Sequence, residues 1–174
     1  MAERFVAEQG IESGILLLTT GGTIDKIYFD AKSEFSIGDS EFPAIAEVAH
    51  MQIPYRVQGV MRKDSLDMTD EDRLAIRAAV EASKESRVLI THGTDTMVDT
   101  ARVLMDLADR TIVLTGAMQP SRMRITDAPF NLGFAIGALM SLPKGVYIAM
   151  SGQILDPRTA RKNREAGRFE ASSD

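Results

Sequence analysis

Five short aliphatic runs, each followed by turn residues, constrain the fold of this chain more than any other feature of its sequence. They cover residues 14–20, 52–60, 87–92, 110–117 and 144–150. Continuous hydrophobicity, rather than alternation, is typical of strands buried on both faces of a parallel sheet. Segments with helical periodicity lie between these runs, at 41–50, 69–86, 95–108 and 128–142. The alternation predicts βαβ units and hence a three-layer α/β/α fold with a mainly parallel sheet.

Three of the predicted helices have recognisable starts. Thr69 precedes a run of acidic residues and is predicted to be an N-cap, and Asp95 is predicted to cap the helix that follows it. Pro129 falls in the first turn of the segment 128–142, where its missing N–H costs nothing.

The length and charge of the chain narrow its domain organisation and its partners. At 174 residues the chain suits one substantial core, so we predict a single domain over 1–174 with flexible segments at 1–13 and 165–174. A net charge of −5 argues against non-specific binding to nucleic acid or to an anionic membrane surface. A small zwitterionic ligand is not excluded, because its site is built locally.

The composition also excludes several kinds of chemistry. There is no cysteine, which removes disulfides and thiolate nucleophiles. The two histidines, His50 and His92, do not show the spacing of metal ligands, so no metal site is expected. The first residues are acidic and mixed rather than typical of a signal peptide, and we therefore expect a cytoplasmic protein.

Two strand ends share a pattern of glycine followed by threonine. The stretches are "TTGGT" at 19–23 and "THGTDT" at 91–96, and ligands of parallel α/β sheets bind beyond the carboxyl ends of the strands. A threonine hydroxyl becomes a nucleophile only when a base takes its proton, and a lysine oriented by a carboxylate is one such base. Either turn alone is also compatible with ordinary turn and capping chemistry. Neither stretch meets a nucleotide-binding motif.

Several motifs together resemble one known family. "TTGGTID" and "ITHGTDTM", followed by "LTGAMQP", "DAPFNL" and "KGVYIAMSGQILDPRTARK", are similar to sequences of the bacterial-type L-asparaginases, which are threonine-dependent amidohydrolases. The resemblance extends from about Ile15 to Lys162, and the order of its two glycine–threonine signatures is highly specific. It implies hydrolysis of L-asparagine to L-aspartate and ammonia through an acyl-enzyme, without a metal or organic cofactor.

The resemblance also assigns catalytic roles residue by residue. Thr23 matches the primary nucleophile, while Thr94 and Asp95 match the second threonine and the aspartate of the triad. Lys162 matches the triad lysine. Which threonine attacks first is not fixed by the sequence.

Substrate contacts are implied in the same way. Ser65 matches the serine that binds the α-carboxylate of the substrate, and Asp95 also holds its amino group, beside Thr94. Gly22 and Gly93 precede the two threonines, and their lack of a side chain is expected to let substrate and main-chain amides approach the hydroxyls. Main-chain amides near Thr23 and Thr94 are expected to stabilise the oxyanion.

The chain departs from the family pattern at three points. Leu66 follows Ser65 where the family often has glutamine, and Phe35 stands where the family has the tyrosine of a flexible lid. Tyr28 is the candidate that supplies the missing hydroxyl. The family's smaller C-terminal domain is absent from this chain, so we expect a homodimer or homotetramer to complete the site.

Two other functions remain open at this level. One is a related amidase that prefers glutamine or another small amide, and the other is an amino-acid-binding module without turnover. The basic residues late in the chain are expected to form a solvated or intersubunit surface; they are Arg122, Arg124, Arg158, Arg161 and Arg164.

Overall fold

A six-stranded sheet forms the centre of the molecule in a computed structural model that describes residues 14–29, 34–107 and 109–172. Across the sheet the strands follow in the order β4 (Tyr55–Lys63), β1 (Ile15–Gly21), β5 (Arg87–Thr91), β6 (Thr111–Thr115), β7 (Gly145–Met150) and β8 (Gln153–Leu155). All neighbours are parallel except β8, which pairs antiparallel with β7. The predicted parallel sheet is confirmed.

Helices cover both faces of this sheet. They are α1 (Phe42–Val48), α2 (Asp70–Glu81), α3 (Met97–Val103) and α4 (Ala128–Ser141). Successive side chains of β1 point to opposite faces, so Leu16 and Leu18 join the core formed with α2 and α3, whereas Ile15 and Leu17 join the core formed with α1 and α4. The three-layer prediction is therefore confirmed. No helix in the described part of the chain is long and apolar enough to cross a bilayer.

The helix starts agree with the sequence in two cases and differ in one. Thr69 caps α2 in a reciprocal capping box with Asp72, and Pro129 lies in the first turn of α4. Asp95 does not cap α3, because the helix begins two residues later with Thr96 as its N-cap. The predicted helix 95–108 is accordingly shorter than expected.

Two small antiparallel hairpins are additions that the strand pattern did not predict. The first pairs β2 (Lys26–Phe29) with β3 (Glu34–Ile37), and the second pairs β9 (Ala160–Asn163) with β10 (Arg168–Ala171). The expectation of a flexible segment from residue 165 is wrong where β10 forms, because the Phe169 side chain is buried in the core beside α3. The predicted flexibility of 1–13, and of 173–174, lies outside the described residues.

A buried carboxyl group lies at the base of the first hairpin. Asp25 ends the 3-10 turn Thr23–Asp25, and its carbonyl accepts the Gly38 N–H at 2.8 Å. The residue is 3% exposed, and Oδ1 has no hydrogen-bond partner in the described part of the chain. Burial, reinforced by the nearby negative charge of Glu41, raises the pKa of Asp25 to about 7. Three groups oppose this shift, namely the side chains of Ser40, Arg122 and Arg62.

This carboxyl predicts a pH dependence of stability. The pKa of Asp25 rises from 3.8 to about 7 on folding. At pH values in the window between these two pKa values the folded state keeps the proton and the unfolded state loses it. The free energy of unfolding therefore falls as the pH rises through the window, by at most about 4 kcal/mol, and is level above it. We expect Asp25→Asn to lose this fall, as measured by urea denaturation at closely spaced pH values. An identical pH dependence in wild type and variant would contradict the assignment.

Phe169 predicts how firmly the second hairpin is held. Phe169→Ala removes a buried ring from the contact between β10 and the core, and we expect a loss of about 3–5 kcal/mol in the free energy of unfolding. Val48→Ala, at an exposed position of α1, is the matched control and should change it by less than about 0.5 kcal/mol. Equal effects of the two substitutions in chemical denaturation would show that the hairpin is not anchored by this ring.

Candidate active site

The turns after β1 and β5 touch each other through two glycines. Gly22 has a φ of 84°, and a Cβ added there would lie 2.4 Å from the Gly93 Cα. A Cβ added to Gly93 would in turn lie 2.5 Å from Ser65 Oγ, in the turn after β4. Both distances are far below a carbon or oxygen contact, so only glycine fits at either position. Three strand ends therefore meet at one point of the sheet edge.

The turn that carries Thr23 is held by hydrogen bonds of the residues on either side of it. The Ile24 carbonyl, one residue further on, accepts both the N–H of Ser121 at 3.0 Å and its hydroxyl at 2.6 Å. The Gly22 N–H is donated to the Lys63 carbonyl at 2.9 Å. The Gly22 amide is thus engaged in the fold, and the part of Gly22 in the site is to permit the close approach to Gly93.

Ser65 links the turn after β4 to the "HGTDT" turn. It is buried, and its Oγ accepts the Asp95 N–H at 3.3 Å while its carbonyl accepts the Thr96 hydroxyl at 2.7 Å. The second bond explains why Thr96 caps α3 without a side-chain bond to the helix. Because Ser65 Oγ accepts one hydrogen bond, its own proton can be donated to a ligand.

Lys162 brings a distant hairpin to these turns. Its Nζ lies 2.7 Å from Thr94 Oγ1 and 2.8 Å from Asp95 Oδ1, although the residues are 68 and 67 positions apart. The Lys162 side chain is 14% exposed and that of Asp95 28%, whereas Thr94 is buried. Asp95 is therefore not a helix cap because its carboxylate binds this lysine. The arrangement joins a hydroxyl, an amine and a carboxylate in one contact, which suits proton transfer.

Arg164 approaches the same carboxylate and was expected only as part of a basic surface. Its Nε lies 3.6 Å from Asp95 Oδ1, the oxygen that also binds Lys162. Arg164 lies in the turn directly after β9, two residues beyond Lys162. Asp95 is thereby shared between two cations.

His92 is a packed histidine rather than a catalytic base. It is fully buried, with Nδ1 2.7 Å from the Gly93 carbonyl and Nε2 2.7 Å from Thr100 Oγ1. A carbonyl only accepts, so Nδ1 carries the proton and Nε2 accepts from the threonine. Burial lowers the pKa of His92 to about 4, which keeps the ring neutral. Within the described residues no group of three or more histidine or carboxylate side chains is arranged to hold a metal ion.

Two residues of the "DAPFNL" motif support the site from behind and had no predicted role. Asp127 accepts the N–H groups of Met118 and Gln119 in the turn after β6. Asn131 donates to the Gly116 carbonyl at 3.0 Å and accepts the Ser151 N–H at 3.0 Å. The motif was the signal for these contacts, because it joins the turns after β6 and β7.

The structure also places the residues at which the chain departs from the family pattern. Tyr28 and Phe35 lie directly opposite each other in the β2–β3 hairpin, with ring centroids 5.4 Å apart in an edge-on arrangement. Tyr28 is 54% exposed. Leu66 is 62% exposed beside the buried Ser65, and its N–H is donated to Asp64 Oδ1.

The chain is similar to known proteins over most of its length. The family described as "Asparaginase, N-terminal" matches residues 14–171. A probable periplasmic L-asparaginase of Haemophilus influenzae is 34% identical over 160 residues, which are 85% of this chain and 46% of that protein. A glutaminase-asparaginase of Pseudomonas aeruginosa is 31% identical over 171 residues, covering 90% of this chain and 47% of that protein.

Solved structures give the same result for the fold. The thermostable L-asparaginase from Thermococcus kodakarensis superimposes with a TM-score of 0.79 at 26% identity, covering 91% of this chain and 51% of that one. The chain thus spans about half the length of the relatives it matches. With its strand order, its two glycine–threonine turns and this match over 14–171, the chain belongs to the asparaginase family and corresponds to the N-terminal domain of that family.

Proposed function

We propose that this chain hydrolyses L-asparagine to L-aspartate and ammonia through a threonine acyl-enzyme. The observation that carries the proposal is the contact of Lys162 Nζ with both Thr94 Oγ1 and Asp95 Oδ1. The hairpin does not need this contact to stay in place, because Ala160 and Phe169 already pack into the core. A buried hydroxyl held against an amine and a carboxylate is the arrangement that activates a weak nucleophile.

The chemistry is assigned to residues as follows. Thr23 Oγ1 attacks the side-chain amide carbon, and its proton passes to the relay of Thr94, Lys162 and Asp95. The tetrahedral intermediate collapses, the C–N bond breaks, and the relay returns the proton to the leaving nitrogen, which departs as ammonia. Water then attacks the Thr23 ester, gives one proton to the relay and releases L-aspartate. The same relay acts as base in each attack and as acid in each collapse.

Binding of the substrate uses the neighbouring turns. The Ser65 hydroxyl is assigned to the α-carboxylate and Asp95 to the α-ammonium group. The N–H groups of Thr23 and Thr94 are assigned to the oxyanion, since no backbone acceptor in residues 14–29, 34–107 or 109–172 takes either of them. Such preorganised donors contribute roughly 3–4 kcal/mol each to transition-state stabilisation.

Two alternatives remain within reach of the same experiments. Glutaminase-asparaginases are among the relatives, so glutamine is the competing substrate. An amino-acid-binding module would bind the substrate without releasing ammonia. We further propose a cytoplasmic homodimer or homotetramer, in which a neighbouring subunit completes the site near Asp95.

Removing the functional group of Thr23, Thr94 or Lys162 should slow catalysis strongly. We expect Thr23→Ala, Thr94→Val and Lys162→Met each to lower kcat for L-asparagine by about 10²–10⁴-fold, the usual contribution of acid–base catalysis. The matched controls are Thr111→Val, at the first residue of β6, and Lys144→Met, directly before β7. Both lie at the amino ends of their strands, opposite the site, and should retain wild-type kcat. Ammonia release from L-asparagine and from L-glutamine is the measurement.

Each outcome of that measurement decides one point. Wild type that releases no ammonia from either amide at tens of millimolar contradicts the enzyme and leaves the binding module. A higher kcat/KM for glutamine favours the competing substrate. Full activity of Lys162→Met means that the relay is wrong even if the reaction is right.

Tyr28 is proposed to replace the lid tyrosine that the family has at the position of Phe35. Side chains directly opposite in a hairpin lie on one face, so the Tyr28 hydroxyl starts from the face that Phe35 occupies. We expect Tyr28→Phe to lower kcat by about 10²-fold, and Phe35→Tyr added to it to recover most of the loss. Tyr147→Phe, in β7, is the control. A Tyr28→Phe variant with unchanged kcat excludes Tyr28 from the chemistry.

A further inference from the structure

The second hairpin sorts its charged side chains onto two sides. Glu170 of β10 receives the side chains of Arg161, Asn163 and Arg168, at 3.4, 3.2 and 3.0 Å. Lys162 alternates with Arg161 and Asn163 along β9 and contacts Asp95 instead, and Arg164, in the turn directly after β9, contacts the same carboxylate. In the described part of the chain Asp95 is the carboxylate within ion-pair distance of Arg164. Arg164 is therefore directed to the site and not to its own hairpin.

Three cationic groups compete for the carboxylate that Arg164 contacts. Oδ1 of Asp95 already binds Lys162, and Arg164 Nε lies 3.6 Å from the same oxygen. On the proposed function, the α-ammonium group of an amino-acid substrate needs this carboxylate as well. Leu66, the exposed residue next to Ser65, has no polar side-chain atom and cannot replace Asp95 as the partner of the ammonium group.

We propose that Arg164 is a specificity-determining residue that competes with the α-ammonium group of the substrate for Asp95. The inference rests on the proposed function and names its substrate class. Amides of dicarboxylic acids without an α-amino group, such as succinamate, escape this competition because they present only a carboxylate and the amide. Arg164 thus lowers the ratio of the affinity for L-asparagine to the affinity for succinamate.

The exposure of Arg164 sets the size of the effect. Its side chain is 66% exposed, so its ion pair with Asp95 is screened by solvent and the ammonium group can displace it. Pairs of this kind correspond to about a two- to five-fold change in an equilibrium constant. Added salt should weaken the competition, since it screens an exposed guanidinium more than the Lys162 contact.

The experiment compares two product-side ligands that differ only in the α-ammonium group. The affinities of L-aspartate and succinate are measured by titration calorimetry with wild type, Arg164→Met and Arg161→Met. We expect Arg164→Met to bind L-aspartate about two- to five-fold more tightly while succinate is unchanged or weaker. Arg161→Met removes an equal charge from the other side of the strand and should leave the ratio of the two affinities as in wild type. Steady-state kinetics should show the same change in KM for L-asparagine, with kcat unchanged.

Binding and turnover fail separately. If wild type binds the ligands but releases no ammonia, the proposed reaction is wrong and the calorimetric ratio still tests Arg164. If ammonia is released and Arg164→Met leaves the ratio of affinities unchanged, the inference about Arg164 is overturned. A loss of both affinities in Arg164→Met also overturns it, because Arg164 would then be holding the carboxylate of the ligand.

Discussion

The contact between Gly22 and Gly93 is the constraint on which the site depends. Parallel strands deliver their carboxyl ends to one edge, but side chains normally keep the turns beyond them apart. Two residues without a Cβ let the turn that carries Thr23 lie against the turn that carries Thr94. Ser65 fits against the second glycine with the same closeness. The glycines of the two signatures are thus a packing requirement, and the position of both threonines follows from it.

The sheet could be predicted from the sequence because each of its central strands is a recognisable hydrophobic run. The hairpin strands have no such run. β1, β5, β6 and β7 are continuous aliphatic runs, and burial on both faces leaves that pattern. β9 and β10 have four residues each and are largely polar, and Ala160 and Phe169 are the side chains that place them in the core. Two core residues in separate strands leave no periodicity, so the segment from residue 165 was expected to be flexible although it pairs with the strand that carries Lys162.

The same difference between local and distant signals explains which residues of the site could be predicted from the sequence. Glycine and threonine at a strand end are visible locally, but Lys162 is 68 residues from Thr94 and was assigned through resemblance alone. Asp95 has the sequence signature of a helix cap, and the lysine overrides it by taking the carboxylate. Arg164 was expected in a solvated surface because a charged run gives no indication of which side each residue faces until the strand is known.

The sheet edge and the hairpins differ in how well their site residues tolerate substitution. Thr23, Thr94 and Ser65 lie in turns that tolerate little movement, because a Cβ added to Gly22 or Gly93 would meet the facing turn. Two of the groups that come from the hairpins, Tyr28 and Arg164, lie at exposed positions where substitution costs little stability, whereas the third, Lys162, is largely buried. The sheet edge therefore fixes the positions of the two threonines and Ser65, whereas the hairpins add Lys162, Tyr28 and Arg164 around them.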